Sequence, residues 1–88
     1  MNIHIAHTER FGKAWERLDE KQKSLARKAI RYLASNLKHP SLVVKKMKGT
    51  RNIWEARASR SLRITFQISG DVLILRNIGH HDDTLNQP

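Results

Sequence analysis

The chain has 88 residues, no cysteine, and 17 Lys and Arg against 8 Asp and Glu, for a formal net charge of +9. A length in this range supports one domain with one modest core, the lack of cysteine excludes a disulfide scaffold or a zinc–thiolate site, and so large a basic excess points to a polyanion, nucleic acid first, or to an acidic protein partner. No apolar run approaches the roughly 20 residues of a membrane span, and Met1-Asn2-Ile3-His4-Ile5 lacks the basic start and apolar stretch of a signal peptide, so the expectation is a single soluble domain, residues 1–88, in the cytoplasm.

Ile3 and Ile5 alternate with Asn2 and His4 and predict a short first strand. Thr8 stands where a helix N-cap belongs, and Phe11, Ala14, Trp15 and Leu18 fall on one face of the helix it opens. Asp19 ends that stretch and caps a second helix, expected from about Glu20 to Leu37, with Leu25, Ala26, Ala29, Ile30, Leu33 and Leu37 as its apolar stripe. Arg27, Lys28, Arg31 and Lys38 take the opposite face. Helices joined this tightly form an antiparallel hairpin. Pro40 closes the helical half, and from Ser41 to Asn52 the chain reads as irregular or weakly extended, with Lys45, Lys46, Lys48 and Arg51 around Gly49.

The hydrophobic period then changes from about 3.6 to 2. Trp54, Ala56 and Ala58 alternate with Glu55 and Arg57, and Leu62, Ile64, Phe66 and Ile68 alternate with Arg63, Thr65 and Gln67. Gly70-Asp71 signals a turn, Val72 to Ile78 a last strand, and Gly79-His80-His81-Asp82-Asp83-Thr84 a polar tail. The order is β-α-α-β-β-β: an α+β fold with a helical hairpin packed on one face of a small antiparallel sheet. The apolar alternates face the helices, which sends Glu55, Arg57, Arg63, Thr65 and Gln67 to an open face.

Two stretches carry more than the fold. In Trp54-Glu55-Ala56-Arg57-Ala58-Ser59-Arg60-Ser61-Leu62-Arg63-Ile64-Thr65-Phe66, an aromatic is followed three residues on by an Arg, then by a tight hairpin and an Arg one position into a strand that ends in an aromatic. The second is Ile78-Gly79-His80-His81 at the end of the last strand. On these stretches and on its element order, the chain resembles the RelE/ParE toxin superfamily over nearly its whole length, and is nearest to the YoeB-like and YafQ-like mRNA interferases. The resemblance implies a RelE-like fold and the toxin component of a type II toxin–antitoxin system. It implies a metal-independent, ribosome-dependent mRNA endonuclease with no cofactor. The implied partners are mRNA on the ribosome, with rRNA contacts, and a cognate antitoxin that wraps the domain in a hetero-oligomer. The same scaffold carries ParE-type gyrase inhibitors, so a gyrase poison and a catalytically silent nucleic-acid-binding module are the alternatives.

Cleaving RNA at its own 2′-hydroxyl takes a base for that proton, a cation for the charge building on phosphate, and an acid for the leaving 5′-oxygen. Arg63 suits the phosphate, because its planar fork pairs two oxygens at once. The matching Arg does this in the resembling toxins, and the alternative is an Arg that braces the hairpin. Arg57 makes a second phosphate contact or pairs with Glu55. Glu55 is a base or the partner that holds Arg57. Imidazole titrates near neutrality, and His80 and His81 diverge at a strand end, so one of them lines the site. The family position favours His81 as general acid, with His80 as the substitute. Asp82 and Asp83 either orient the imidazole or are solvated tail residues. Lys45, Lys46, Lys48, Arg51 and Arg60 would hold RNA backbone without reading sequence. Adjacent strand residues diverge, so His80-His81-Asp82-Asp83 makes a poor metal set, and no metal is expected. Many relatives carry a Tyr just after the last strand, whereas Tyr32, in the second helix, is the one Tyr of this chain.

Overall fold

Thr8 and Asp19 start the helical hairpin as their positions predict. Thr8 Oγ1 accepts from the Phe11 N–H at the head of α1, Glu9–Glu16. Asp19 forms a reciprocal capping box with Gln22 at the head of α2, Glu20–Ser35. Each arrangement satisfies backbone donors that a helix leaves unpaired in its first turn. In the computed structural model, which describes residues 3–88, the remaining elements are β1 His4–His7, a 3-10 turn Pro40–Leu42, β2 Lys45–Lys46, β3 Trp54–Arg57, β4 Leu62–Ser69, β5 Val72–His80 and α3 His81–Asn86. None of its helices is long and apolar enough to cross a membrane, among the described residues.

The strands form one five-stranded sheet in the order β1-β5-β4-β3-β2. β5, β4, β3 and β2 pair antiparallel in succession, as the hairpin signals predict, but β1 runs parallel to β5 at the sheet edge. The long helical crossover permits that direction. Leu62, Ile64, Phe66, Leu73, Leu75 and Ile78 from the sheet meet Phe11, Ala26, Ala29 and Leu33 from the helices to make the core. This is the α+β layering the sequence predicts.

Four expectations change. The first strand runs His4–His7, which keeps Ile5 but starts after Ile3, and Asn2 falls outside the described residues. Ile5 pairs with Leu73 but stays 49% exposed. The chain leaves β1 at Thr8, whose N–H donates to Leu75 O and whose Oγ1 donates to Arg76 O, so α1 packs along β5 and leaves β1 uncovered. The second helix stops at Ser35, short of Leu37, because Asn36 Oδ1 accepts from the Lys38 N–H in a local turn that competes with the next helical bond. The stretch read as irregular or weakly extended does hold a short strand, β2, whereas the polar tail is the helix α3.

The fourth change concerns the face turned away from the hairpin. Arg57 is exposed, but Glu55, Arg63 and Thr65 are buried on it. α3 packs across β4 and β5 there: Thr84 is buried, and Asn77 Nδ2, in register with Thr65, donates to Gln87 O. Arg76 adds hydrogen bonds to Gln67 Oε1 and Pro88 O. A face that the alternation pattern marks as open is therefore half closed by the chain's own last residues.

Candidate active site

The β3–β4 register sets the site. Arg57 pairs with Arg63 and Glu55 with Thr65, so Glu55, Arg57 and Arg63 share the face opposite the hairpin. β2 adds Lys45 opposite Glu55. Across the sheet Gly79 is in register with Arg63, and the chain turns there into α3, whose first residue is His81. The His81 N–H donates to Ser61 O at 2.9 Å, which ties the start of α3 to the β3–β4 loop. A pocket of about 130 Å³ results, lined by Val43, Lys45, Glu55, Ala56, Arg57, Arg63 and His81.

Arg63 is 9% exposed and bonded on one arm of its fork. Nη1 donates to Ser59 O, Arg60 O and Leu62 O at 2.9, 3.2 and 3.3 Å, which holds the loop. Nε and Nη2 have no hydrogen-bond partner among the described residues. The guanidinium thus braces the hairpin with one nitrogen and keeps a two-pronged donor edge for an oxyanion. Burial is the main cause that lowers its pKa from the ordinary arginine value, the Arg57 charge lowers it further, and Glu55 partly offsets both. Two guanidiniums facing each other over one pocket make a place where a bound anion relieves repulsion.

Glu55 pairs with Lys45, at 3.6 Å, and no ion pair joins it to Arg57 among the described residues. Arg57 is exposed at the mouth of the pocket. His81 Nδ1 lies 3.0 Å from Asp82 Oδ1, and this hydrogen bond is the first cause that holds the Asp82 carboxyl below its usual pKa. An ionised carboxylate only accepts, so in this contact Nδ1 is the donor, and Nε2 is the ring nitrogen left without a partner among the described residues. Of the two aspartates, Asp82 makes the hydrogen bond to the imidazole, and Asp83 lines a different cleft.

The two histidines do diverge. His81 lines the small pocket, whereas His80 lines a cleft of about 660 Å³ between α1 and α3. Of the basic cluster, Lys45 reaches the pocket; Lys46, Lys48 and Arg51 are exposed on β2 and the turn after it, outside the pocket lining. Arg60 is exposed on the β3–β4 loop and lines a groove against α2. No three His, Asp or Glu side chains gather in a metal-holding group among the described residues. Pattern reading missed Val43, which turns through a left-handed backbone conformation (φ 45°) beside the pocket, and the docking of α3.

That docking depends on Gly79. A Cβ built there would come 2.9 Å from Thr84 Oγ1, closer than packed atoms tolerate, so α3 would have to lift. Gly79→Ala is expected to destabilise the fold by about 1–3 kcal/mol in urea unfolding. Adding Thr84→Ala should recover part of that loss, because it removes the clashing hydroxyl. Strictly additive penalties in the double variant would show that the contact is not what sets the glycine.

No family model and no curated protein matches this chain. Solved structures do. The chain is similar to the RelB–RelE antitoxin–toxin complex from Methanococcus jannaschii, with a TM-score of 0.74 at 22% identity, covering 94% of this chain and 99% of that one. It is similar to the E. coli DinJ–YafQ toxin–antitoxin complex, with a TM-score of 0.79 at 11% identity over 94% and 97% of the two chains. It is also similar to the YoeB dimer from Staphylococcus aureus, with a TM-score of 0.77 at 10% identity over 92% and 99%. With near-complete coverage of both chains in each comparison, the β-α-α-β-β-β core and its sheet identify the fold of this protein as that of the RelE, YafQ and YoeB toxins.

Proposed function

We propose that this protein is the toxin of a type II toxin–antitoxin pair and that it cleaves mRNA on the ribosome in the cytoplasm. The observation that carries this reading is the convergence of Arg57, Arg63, Glu55 and His81 on one small pocket. Those residue types meet the demands of transesterification at an RNA phosphate. Arg63 grips the phosphate through Nε–H and Nη2–H, with Arg57 as a second cation. Glu55 takes the proton of the 2′-hydroxyl. The 2′-oxygen bonds to phosphorus, the bond from phosphorus to the 5′-oxygen breaks, and His81 passes a proton to that leaving oxygen. The fragments end in a 2′,3′-cyclic phosphate and a 5′-hydroxyl. Every proton moves between these side chains and the substrate.

The net charge of +9 supports a polyanionic substrate, and Lys46, Lys48, Arg51 and Arg60 serve to hold mRNA or rRNA backbone around the pocket. The similar RelE and YafQ chains are in complexes with antitoxins, which supports an antitoxin partner and a hetero-oligomer here.

The test is primer extension on mRNA after induction of the wild-type protein and of His81→Ala, in cells and in a purified translation reaction with and without ribosomes. The expected result is new 5′ ends inside translated codons, dependent on ribosomes and reduced by about 10²-fold or more in the variant, the usual worth of a positioned acid. Growth arrest with intact mRNA would overturn the reading and direct attention to gyrase, with a supercoiling assay next. Cleavage undiminished in His81→Ala would remove that residue from the chemistry.

A further inference from the structure

A groove of about 320 Å³ runs between α2 and the β3–β4 hairpin, and Arg57 lines both it and the small pocket. Its cations are Lys28, Arg57 and Arg60, and it has no carboxylate in its lining. None of these three is in an ion pair among the described residues. Unpaired like charges on facing walls are unfavourable until an anion joins them. The groove is also apolar and aromatic at its base, where Leu42 and Ala29 lie beside Tyr32.

Tyr32 is held firmly. Its ring stacks on His39 with centroids 3.9 Å apart and planes 9° from parallel, and Lys28 Nζ is 6.0 Å from the ring centre. His39 covers one face of the ring, and the Lys28 ammonium lies over it as well on a flexible arm, so a base takes the face toward the groove by displacing Lys28 onto the backbone phosphate. Cations on the rim with a fixed aromatic at the base are the two parts by which proteins bind single-stranded nucleic acid: charge tracks the backbone and a π-face takes a base. An acidic peptide would use the cations but not the ring.

We infer that this groove is a nucleotide subsite, continuous with the small pocket through Arg57, which takes the single-stranded RNA next to the phosphate gripped by Arg63. Lys28 and Arg60 contact the backbone phosphates and Tyr32 stacks on a base. The inference builds on the proposed cleavage, and it assigns to α2 a direct part in holding substrate.

The experiment reads binding rather than cleavage, so the two proposals fail separately. A fluorescein-labelled decauridylate is titrated with the full chain at several salt concentrations, and anisotropy is measured for wild type, Lys28→Gln, Arg60→Gln and Tyr32→Leu. Lys28→Gln and Arg60→Gln should each flatten the dependence of log Kd on log salt by about 0.7, the value of one phosphate contact on a single strand. Tyr32→Leu keeps the apolar bulk and is expected to weaken binding about tenfold with the salt slope unchanged, because stacking carries no counterions. Circular dichroism on each variant reports whether it is folded; a Tyr32→Leu protein that unfolds leaves the two salt slopes to decide. Slopes and affinities equal to wild type, or no binding of the oligonucleotide by the wild type, would overturn the groove while leaving the primer-extension result to stand alone. Equal competition by a deca-glutamate peptide would overturn it too, since that outcome makes the surface a general polyanion site or a seat for an acidic protein segment. Groove-dependent binding by a protein that cleaves no mRNA would keep the subsite and end the cleavage reading.

Discussion

Arg63→Ala is expected to lower mRNA cleavage by about 10²–10³-fold, the loss seen when one preorganised donor to a developing oxyanion is removed. The size follows from where the guanidinium sits. It is nearly buried, so water does not screen it as it would an exposed arginine. It is fixed by three backbone carbonyls through Nη1 alone, so the free edge points to one place without further ordering on binding. Arg63→Lys is the informative companion. A lysine keeps the charge and can bond one of the loop carbonyls, but it has no second parallel N–H for a phosphate. Its activity should stay well below wild type while its urea midpoint moves less than that of Arg63→Ala. Cleavage in a purified translation reaction and unfolding of the same preparations separate the two jobs of this residue. A folded Arg63→Ala protein that cleaves at the wild-type rate would remove the phosphate grip, and with it the mechanism. A lysine variant as active as wild type would show that charge alone suffices.

The same residue shows how far the sequence reaches. Alternation along Trp54–Ala58 and Leu62–Ile68 places Glu55, Arg57 and Arg63 on one face, and the register agrees. The choice between bracing the hairpin and gripping phosphate was not legible, because it depends on which nitrogen of the fork meets the loop carbonyls. Period-two patterns need several residues to stand out, so the stretch from Ser41 to Asn52 reads no further than irregular or weakly extended, and neither the place of the two-residue β2 nor the Lys45–Glu55 pair is legible there. α3 was hidden for a similar reason. Six residues give less than two helical turns, no side-chain cap announces its start, and its support comes from buried Thr84 against Gly79 rather than from an apolar stripe. Only a charge signal was there to read: Asp82 and Asp83 in the first turn, where a helix N-terminus favours anions. The divergence of His80 and His81 could be argued from strand geometry, but the residue that reaches the pocket is settled by the turn into α3.

Phe66→Ala is expected to cost about 3–5 kcal/mol, the usual range for removing a buried aromatic. Phe66 is fully buried and sits where the sheet changes register: it pairs with Trp54 on one side and Leu75 on the other, beside the irregularity between Thr65 and Phe66. It also forms the inner wall of an apolar groove of about 400 Å³ lined by Leu37, Val43, Val44, Trp54 and Ile68. Without the ring that groove would open toward the core, so the void could neither collapse onto a close neighbour nor stay sealed from water. A domain of 88 residues has roughly 4–13 kcal/mol of stability at 0.05–0.15 kcal/mol per residue, so the variant should be largely unfolded near the lower bound. Chemical denaturation followed by far-ultraviolet circular dichroism checks this, with Arg57→Ala as the exposed control, expected within about 0.5 kcal/mol of wild type. Because Trp54 pairs with Phe66 three residues before Arg57 on the same strand, loss of the ring should also loosen β3 and weaken the pocket even in the fraction that stays folded. A Phe66→Ala protein with near-native stability and full cleavage would mean that the groove, and not the ring, is what the fold is built around.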